Sequence, residues 1–448
     1  MTKKSTVLPC RNTLYIVVLF CISTLLTACG GGSSDSSSDN SSDTTISVYD
    51  GYNLFSPMNS TTTYLMDNDD ITVHSWTSDY TPGLSVYLLD TGELLRTGNV
   101  GNATFDSGGA GGIVQTFDWD GNLTWEYEYS STLHLQHHDV EMLPDGNVLL
   151  IAWEYKTGTE ATDQGRDPGT LGDGELWPDT ILEIEPTGAS SGTVVWEWHV
   201  WDHLIQDYDA TKPNYGTVAD HPELINLNYT MNTNADWTHI NAVDYSEEYD
   251  QILLSVHNFS EIWIIDHSTT TAEAASHSGG TYGKGGDLLY RWGNPQTYDA
   301  GDSNDQQLFV QHDAEWIASG LPGEGDILVF NNGKGRPDGN YSSVDEIVTP
   351  VNSDGSYTLS GSSYGPDAAT WSYTAATPTD FYAQSISGAQ RLPNGNTLIC
   401  EGPDGYFFEV TDDGETVWDY DTGNAVFRVY RYGSDYSGFD GTTLDDEG

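Results

Sequence analysis

A short strand ending in tryptophan recurs along this chain, usually after a Gly or Asp turn, and that self-similarity narrows the possible folds more than any other feature. Clear copies occupy residues 69–76, 120–125, 192–196 and 413–418, ending in Trp76, Trp125, Trp196 and Trp418; weaker copies end at Trp292 and surround Trp371. A second strand type follows most copies, with a polar start, a Pro or Asp turn and an apolar exit. It runs from His138 through Leu143-Pro144-Asp145-Gly146-Asn147 to Leu150, and from Ser387 through Leu392-Pro393-Asn394-Gly395-Asn396 to Ile399. Looser versions cover residues 85–95, 239–256 and 312–330.

Short strands with turn signals, a tryptophan at one place in each unit and no helical periodicity predict an all-β, six-bladed β-propeller. Two packed sandwiches would also supply many strands, but they give no reason for tryptophan to recur at one position. The propeller is expected over residues 48–432, with insertions near 156–176, 203–235 and 267–285, and residues 433–448 are expected to be an acidic tail.

The first 28 residues read as an export signal. Lys3, Lys4 and Arg11 precede a short apolar run that ends in Leu26-Thr27-Ala28-Cys29, the pattern of a lipoprotein signal with Cys29 as the lipidated residue. The run is short for a bilayer span. Residues 29–47 then form the lipidated cysteine and a Gly/Ser/Asp tether, and the protein is expected to be exported and lipid-anchored to the bacterial cell envelope, in periplasm or outer membrane. Of four cysteines only Cys400 then remains as a free thiol, so stability must come from a core without a disulfide. With 68 Asp plus Glu against 14 Lys plus Arg, the formal charge of −54 excludes nucleic acid as a partner and favours a salty habitat that screens the acidic coat.

Propellers bind ligands along the central channel, lined by the innermost strand of each blade. Aligning the second strand type puts His138, His239 and His312 at one register, with Ser387 and Ser85 there in two other blades. Twelve histidines in the whole chain make such a coincidence informative. His134 and His137 are neighbours of the register; His74, His199, His203, His267 and His277 read as structural. Asp139 and Asp313, each after a register histidine, orient a ring or cap a strand. Three imidazoles suit a Zn or Cu ion, or else an anion, for which neutral imidazole is the nucleophile and a protonated neighbour supplies charge and a proton. Arg291, Arg336, Arg391 and Arg428 are the arginines placed near the channel, with surface salt bridges as the plainer reading of each.

These residues resemble the bacterial arylsulfate sulfotransferases that need no phosphoadenosine donor. The likeness spans about residues 48–432 and is carried by His137-His138-Asp139, Asp236-Trp237-Thr238-His239-Ile240-Asn241, Gln311-His312-Asp313-Ala314 with Phe330-Asn331-Asn332-Gly333-Lys334-Gly335-Arg336, and Ser387 with Arg391-Leu392-Pro393-Asn394-Gly395-Asn396. The resemblance implies a six-bladed propeller that moves a sulfuryl group from an aryl sulfate to a phenol through a sulfohistidine, with no cofactor and no metal. By that likeness His312 is the nucleophile, His239 and Asn241 hold the sulfuryl oxygens, and His138 assists proton transfer. Arg336 and Ser387 are further substrate contacts, with Ser385 as the alternative to Ser387. Where the family commonly carries an arginine this chain has His257, whose protonation would replace it, so that activity would fall as pH rises. An electron-transfer propeller binding a quinone and a non-catalytic ligand- or metal-binding surface propeller are the competing functions.

Overall fold

A computed structural model describes residues 47–444. The export signal, Cys29 and all but the last residue of the tether lie outside the described residues, as do residues 445–448. Six four-stranded antiparallel sheets form the blades of a propeller, the architecture that the tryptophan repeat predicts. Blade 2 runs from the inner strand Pro82–Leu88 through Leu94–Asn99 and Gly112–Phe117 to the outer strand Leu123–Glu128. Blades 3 to 6 repeat that path from the inner strands His134–Met142, Ile240–Ser246, His312–Trp316 and Gly388–Arg391. Blade 1 is built from both ends of the chain. Gly51–Pro57, Thr62–Met66 and Thr72–Thr77 supply its three outer strands, and the last strand, Val426–Gly433, supplies the inner one, with Leu54 opposite Tyr430. The ring is thus closed by a ladder of backbone hydrogen bonds.

Burial follows from this stacking. A middle strand such as Val148–Glu154 is covered on both faces by neighbouring blades, so Val148 through Trp153 form a continuous buried run without alternation. The outer strand Leu123–Glu128 buries only Trp125. Apolar cores lie between blades: Leu149, Ile151 and Ile181 of blade 3 pack with Ile240, Leu254 and Trp263 of blade 4.

The six repeat tryptophans all lie in outer strands, and each indole N–H donates at the connection between the third and fourth strands of the next blade. Trp76 reaches Asp118 O, Trp125 reaches Ser191 O, Trp196 reaches Thr269 Oγ1, Trp292 reaches Pro366 O, Trp371 reaches Asp412 O and Trp418 reaches Asn68 O, at 2.7 to 3.2 Å. The last of these crosses the closure from blade 6 to blade 1. A buried indole needs an acceptor, and the neighbouring turn supplies it.

As far as Leu444, the segment expected as an acidic tail packs back on the propeller. Phe439 is buried against Tyr52 and Trp119, and Tyr436 donates to Leu88 O, because aromatic side chains in this stretch find apolar cover on blades 1 and 2. The three insertions are where the sequence places them. Residues 156–176 and 267–285 interrupt blades 3 and 4, and residues 203–235 join those two blades.

Midway along the channel, Arg428 of blade 1 ties the inner strands together. Its guanidinium meets Asp139 of blade 3 at 2.7 Å and Asp313 of blade 5 at 2.8 Å, and Nη2 donates to Asn241 O of blade 4. Tyr87 of blade 2 donates to Asp139, and the Ala389 amide of blade 6 donates to Asp313. All six blades therefore meet at one buried cation. Asp139 and Asp313 orient no histidine ring; they turn the other way and neutralise Arg428. Burial raises the Asp313 carboxyl to about 6 against the pull of Arg428.

Candidate active site

The register histidines sit at one mouth of this channel because the inner strands are kinked there. His138 and His239 have φ of 53° and 55°, and Asp313, next to His312, has 55°. These left-handed conformations cost non-glycine residues of order 1–3 kcal/mol each and cluster at functional sites. Ladder pairing slips at the same places, between Gln136 and Val140, Ile240 and Ala242, and His312 and Ala314. Such bulges re-aim side chains. Gly109, from a glycine-rich loop of blade 2, lies so close to the His138 ring that a Cβ would stand 1.9 Å from Cε1.

Four rings form a continuous arc. Centroids are 4.6 Å apart for His138 and His239, 4.9 Å for His239 and His257, and 5.3 Å for His257 and His312. Each ring is anchored through Nδ1. Asn332 donates to the carbonyls of Ala383 and Ile386, so its Oδ1 must face His312 Nδ1, at 2.8 Å, and that nitrogen carries the proton. Asn258 likewise donates to Asp236 O and holds His257 Nδ1 at 2.7 Å. Both rings present an unprotonated Nε2 on the side away from the anchor.

His138 belongs to a relay. Asp179 accepts from His137 Nε2 at 2.7 Å, which leaves His137 Nδ1 to accept from His138 Nδ1 at 2.8 Å, and His137 stacks on Trp153 with centroids 3.9 Å apart. His239 Nδ1 faces Asp236 Oδ2 at 2.5 Å, and Ser107 donates to the same oxygen.

These partners separate the rings electrically. Burial, reinforced by neighbouring histidines, pushes His138 and His312 well below the usual imidazole range and His257 down to about 3. Burial also opposes the charge on His239, but the Asp236 carboxylate outweighs it and raises that ring above 6.5. The positive charge near neutral pH therefore belongs to His239. His257, expected to stand in for a cation, is neutral: burial disfavours its protonation, and protonated His239 and the Lys334 ammonium add to that.

The other expected contacts are placed differently. Asn241 is fully buried, donates to Gln311 O and braces the His239 strand against the His312 strand; its Oδ1 has no partner among the described residues. Arg336 lies over the rings of Phe309 and Tyr341 and donates to Tyr341 O and Ser343 Oγ, away from the arc. Ser387 is buried with its hydroxyl between Ser385 O and the Gly402 amide, whereas Ser385 is exposed. Arg291 and Arg391 are buried partners of Glu261 and Glu346.

Beside His239 and His257 a cleft of about 290 Å³ opens, lined also by Asp106, Ser107, Trp177 and Met231. One aromatic ring fits there. A larger cavity of about 750 Å³, lined by Tyr87, Trp125, Glu141 and Tyr432, touches none of the histidines. Sequence reading missed Asn258, Asp179, Trp177 and Gly109; Asn332 and Asp236 stood within its motifs without a role, which depends on contacts across blades.

Among curated proteins none matches the chain. Solved structures with similar backbones include a protein of unknown function from Bacteroides caccae, 12% identical over 86% of this chain and 99% of that one, with a TM-score of 0.46. A putative 6-phosphogluconolactonase from Bacteroides fragilis is 10% identical over 86% and 98% of the two chains, with a TM-score of 0.39. Both are too distant to bear on the reaction. The family model for Arylsulfotransferase (ASST) matches residues 99–431, more than half of the 448 residues and every histidine of the arc. The chain belongs to the Arylsulfotransferase (ASST) family, as a β-propeller sulfotransferase.

Proposed function

We propose that this protein transfers a sulfuryl group from an aryl sulfate ester to a phenol in two steps through His312. The observation that carries the reading is the arc itself, in which one neutral ring with a free Nε2 stands two places from a protonated ring. In the first step His312 Nε2 forms a bond to sulfur as the bond between sulfur and the aryl oxygen breaks. The phenolate leaves with the electron pair and takes the proton of His239 Nε2. In the second, an acceptor phenol returns that proton to the His239 and His138 pair as its oxygen attacks sulfur, and the N–S bond breaks to restore neutral His312.

Residues around the arc supply what this chemistry needs. His312 is nucleophilic at neutral pH because burial keeps it unprotonated, and Asn332 holds it in the tautomer with Nε2 bare. The His239 imidazolium stabilises the sulfuryl oxygens while charge moves through the sulfur centre. Trp177 and Met231 give the phenolic ring apolar cover, and exposed Ser385, rather than Ser387, is the hydroxyl open to a bound sulfate. Asn241 and Arg336 act as braces. The signal pattern ending at Cys29 supports a lipid-anchored, exported enzyme.

Incubation of the protein with p-nitrophenyl sulfate, with and without phenol, tests the reading. Phenol-dependent release of nitrophenol, together with sulfated phenol and a sulfuryl adduct on the peptide containing His312 when phenol is withheld, is the expected result. Release that requires no acceptor and leaves no adduct on His312 would sink it.

A further inference from the structure

We propose that His203, His277 and Asp287 form a site for a transition-metal dication of the Zn²⁺ class, outside the channel, where it staples two insertions together. His203 opens the 203–235 insertion and His277 lies in the 267–285 insertion, with Asp287 just beyond it. Among the described residues this is the one group of three His, Cys, Asp or Glu side chains whose donor atoms lie within 4.8 Å of one another.

Hydrogen bonding at His203 carries the argument. The ring is fully buried and lies flat on Trp198, with centroids 5.6 Å apart and planes 7° from parallel. Its Nε2 is 2.8 Å from Ala274 O. A carbonyl only accepts, so Nε2 carries the proton and a neutral ring has a lone pair on Nδ1. That Nδ1 lies 2.8 Å from Asp287 Oδ1, which as a carboxylate also only accepts. Two lone pairs face each other, and something positive must stand between them. His277 Nδ1 comes to the same oxygen at 2.7 Å, so two imidazoles and one carboxylate converge on a single point.

A metal ion answers all three donors at once, where protons answer them one ring at a time, on His203 Nδ1 and on His277 Nδ1. Tetrahedral bonds of about 2.0–2.2 Å set donors roughly 3.3–3.6 Å apart, so both nitrogens must draw back from Asp287 Oδ1 by roughly 0.6 Å, buried His203 through a turn of the carboxylate and His277, with its side chain 61% exposed, through a shift of its own. The remaining pieces are built in advance. Ala274 O fixes the His203 tautomer, as an outer partner does for a metal-binding histidine. At Gly286 a Cβ would stand 2.0 Å from Ala274 O and 2.6 Å from His203 Nε2, and its carbonyl accepts from Trp198 Nε1, so the turn before Asp287 is closed tightly around the ring. Two imidazole nitrogens with one carboxylate suit zinc and its neighbours, and not calcium or magnesium, which prefer oxygen alone. Water fills the fourth position on the exposed His277 side.

Purified full-length protein, stripped with EDTA and dialysed, is titrated with ZnCl₂ by calorimetry and melted with and without the ion. The expected result is one ion per chain, a higher Tm with zinc, and binding weakened by more than roughly tenfold in His277→Ala, since losing even an outer partner costs that much. His277→Gln serves as a second variant, and both must melt like wild type in EDTA. No uptake by wild type, or equal uptake by wild type and both variants, overturns the site. Uptake lost in His312→Asn but kept in His277→Ala would place the ion in the channel and overturns it equally.

Discussion

The rim of the propeller and the mouth of its channel are built from the same repeating unit, yet they use it in opposite ways. At the rim all six units do one job, a tryptophan of each outer strand donating to the turn of the next blade. Along the channel the six blades diverge: blades 3, 4 and 5 bring histidines to the mouth, blade 1 brings Arg428 beneath them, and loops of blades 2 and 6 bring Gly109 and the carbonyls that hold Asn332. Packing rewards repetition, since identical neighbours need identical contacts. Chemistry needs rings in different protonation states, and only unlike surroundings can supply them.

Four experiments sharpen or break that contrast. The largest effect is expected from His312→Asn, which should lower turnover on the order of 10⁴- to 10⁶-fold, as loss of a nucleophile does, with an unchanged Tm; retained turnover would remove His312 from the chemistry. Next is Arg428→Met, which strands Asp139 and Asp313 without their buried cation. Breaking such a network costs about 3–5 kcal/mol, read by denaturant unfolding, and a neutral result would mean that the hub does not hold the ring.

Asp236→Asn tests the mouth alone. Burial disfavours the charge on His239 and that carboxylate, with help from Asp179, outweighs it, so activity should decline as pH rises through the raised value, and the variant should move the decline acidward by about 1–3 pH units. An unmoved limb would assign the charge to another group. The smallest effect belongs to the rim, where Trp125→Phe leaves Ser191 O without its donor and should cost about 1–3 kcal/mol with kcat unchanged. A change in pH profile in that variant would show that rim and mouth are coupled.

Legibility divides along the same line. Trp76 and its five equivalents stand out because a six-fold structural demand leaves a six-fold mark in sequence. His138, His239 and His312 were readable for the same reason, as one register of a repeated hairpin. Asn332 stood in a motif but its role was hidden, because carbonyls 51 and 54 residues away are what turn its Oδ1 toward His312. Ser387 and Ser385 were indistinguishable until the positive φ of 88° at Ser387 turned its hydroxyl into the blade. The protonation on which a cationic role of His257 depends was not legible, since its neighbours in sequence say nothing of the His239 charge across the arc.

The sequence by itself determined the number of blades, the identity of the inner and outer strands and the three histidines shared by their register, because periodic packing writes itself locally. Only the tertiary structure decided which ring is charged and which is bare. Those states depend on burial and on partners such as Asp236, which holds His239 and accepts from Ser107, 129 residues away in sequence.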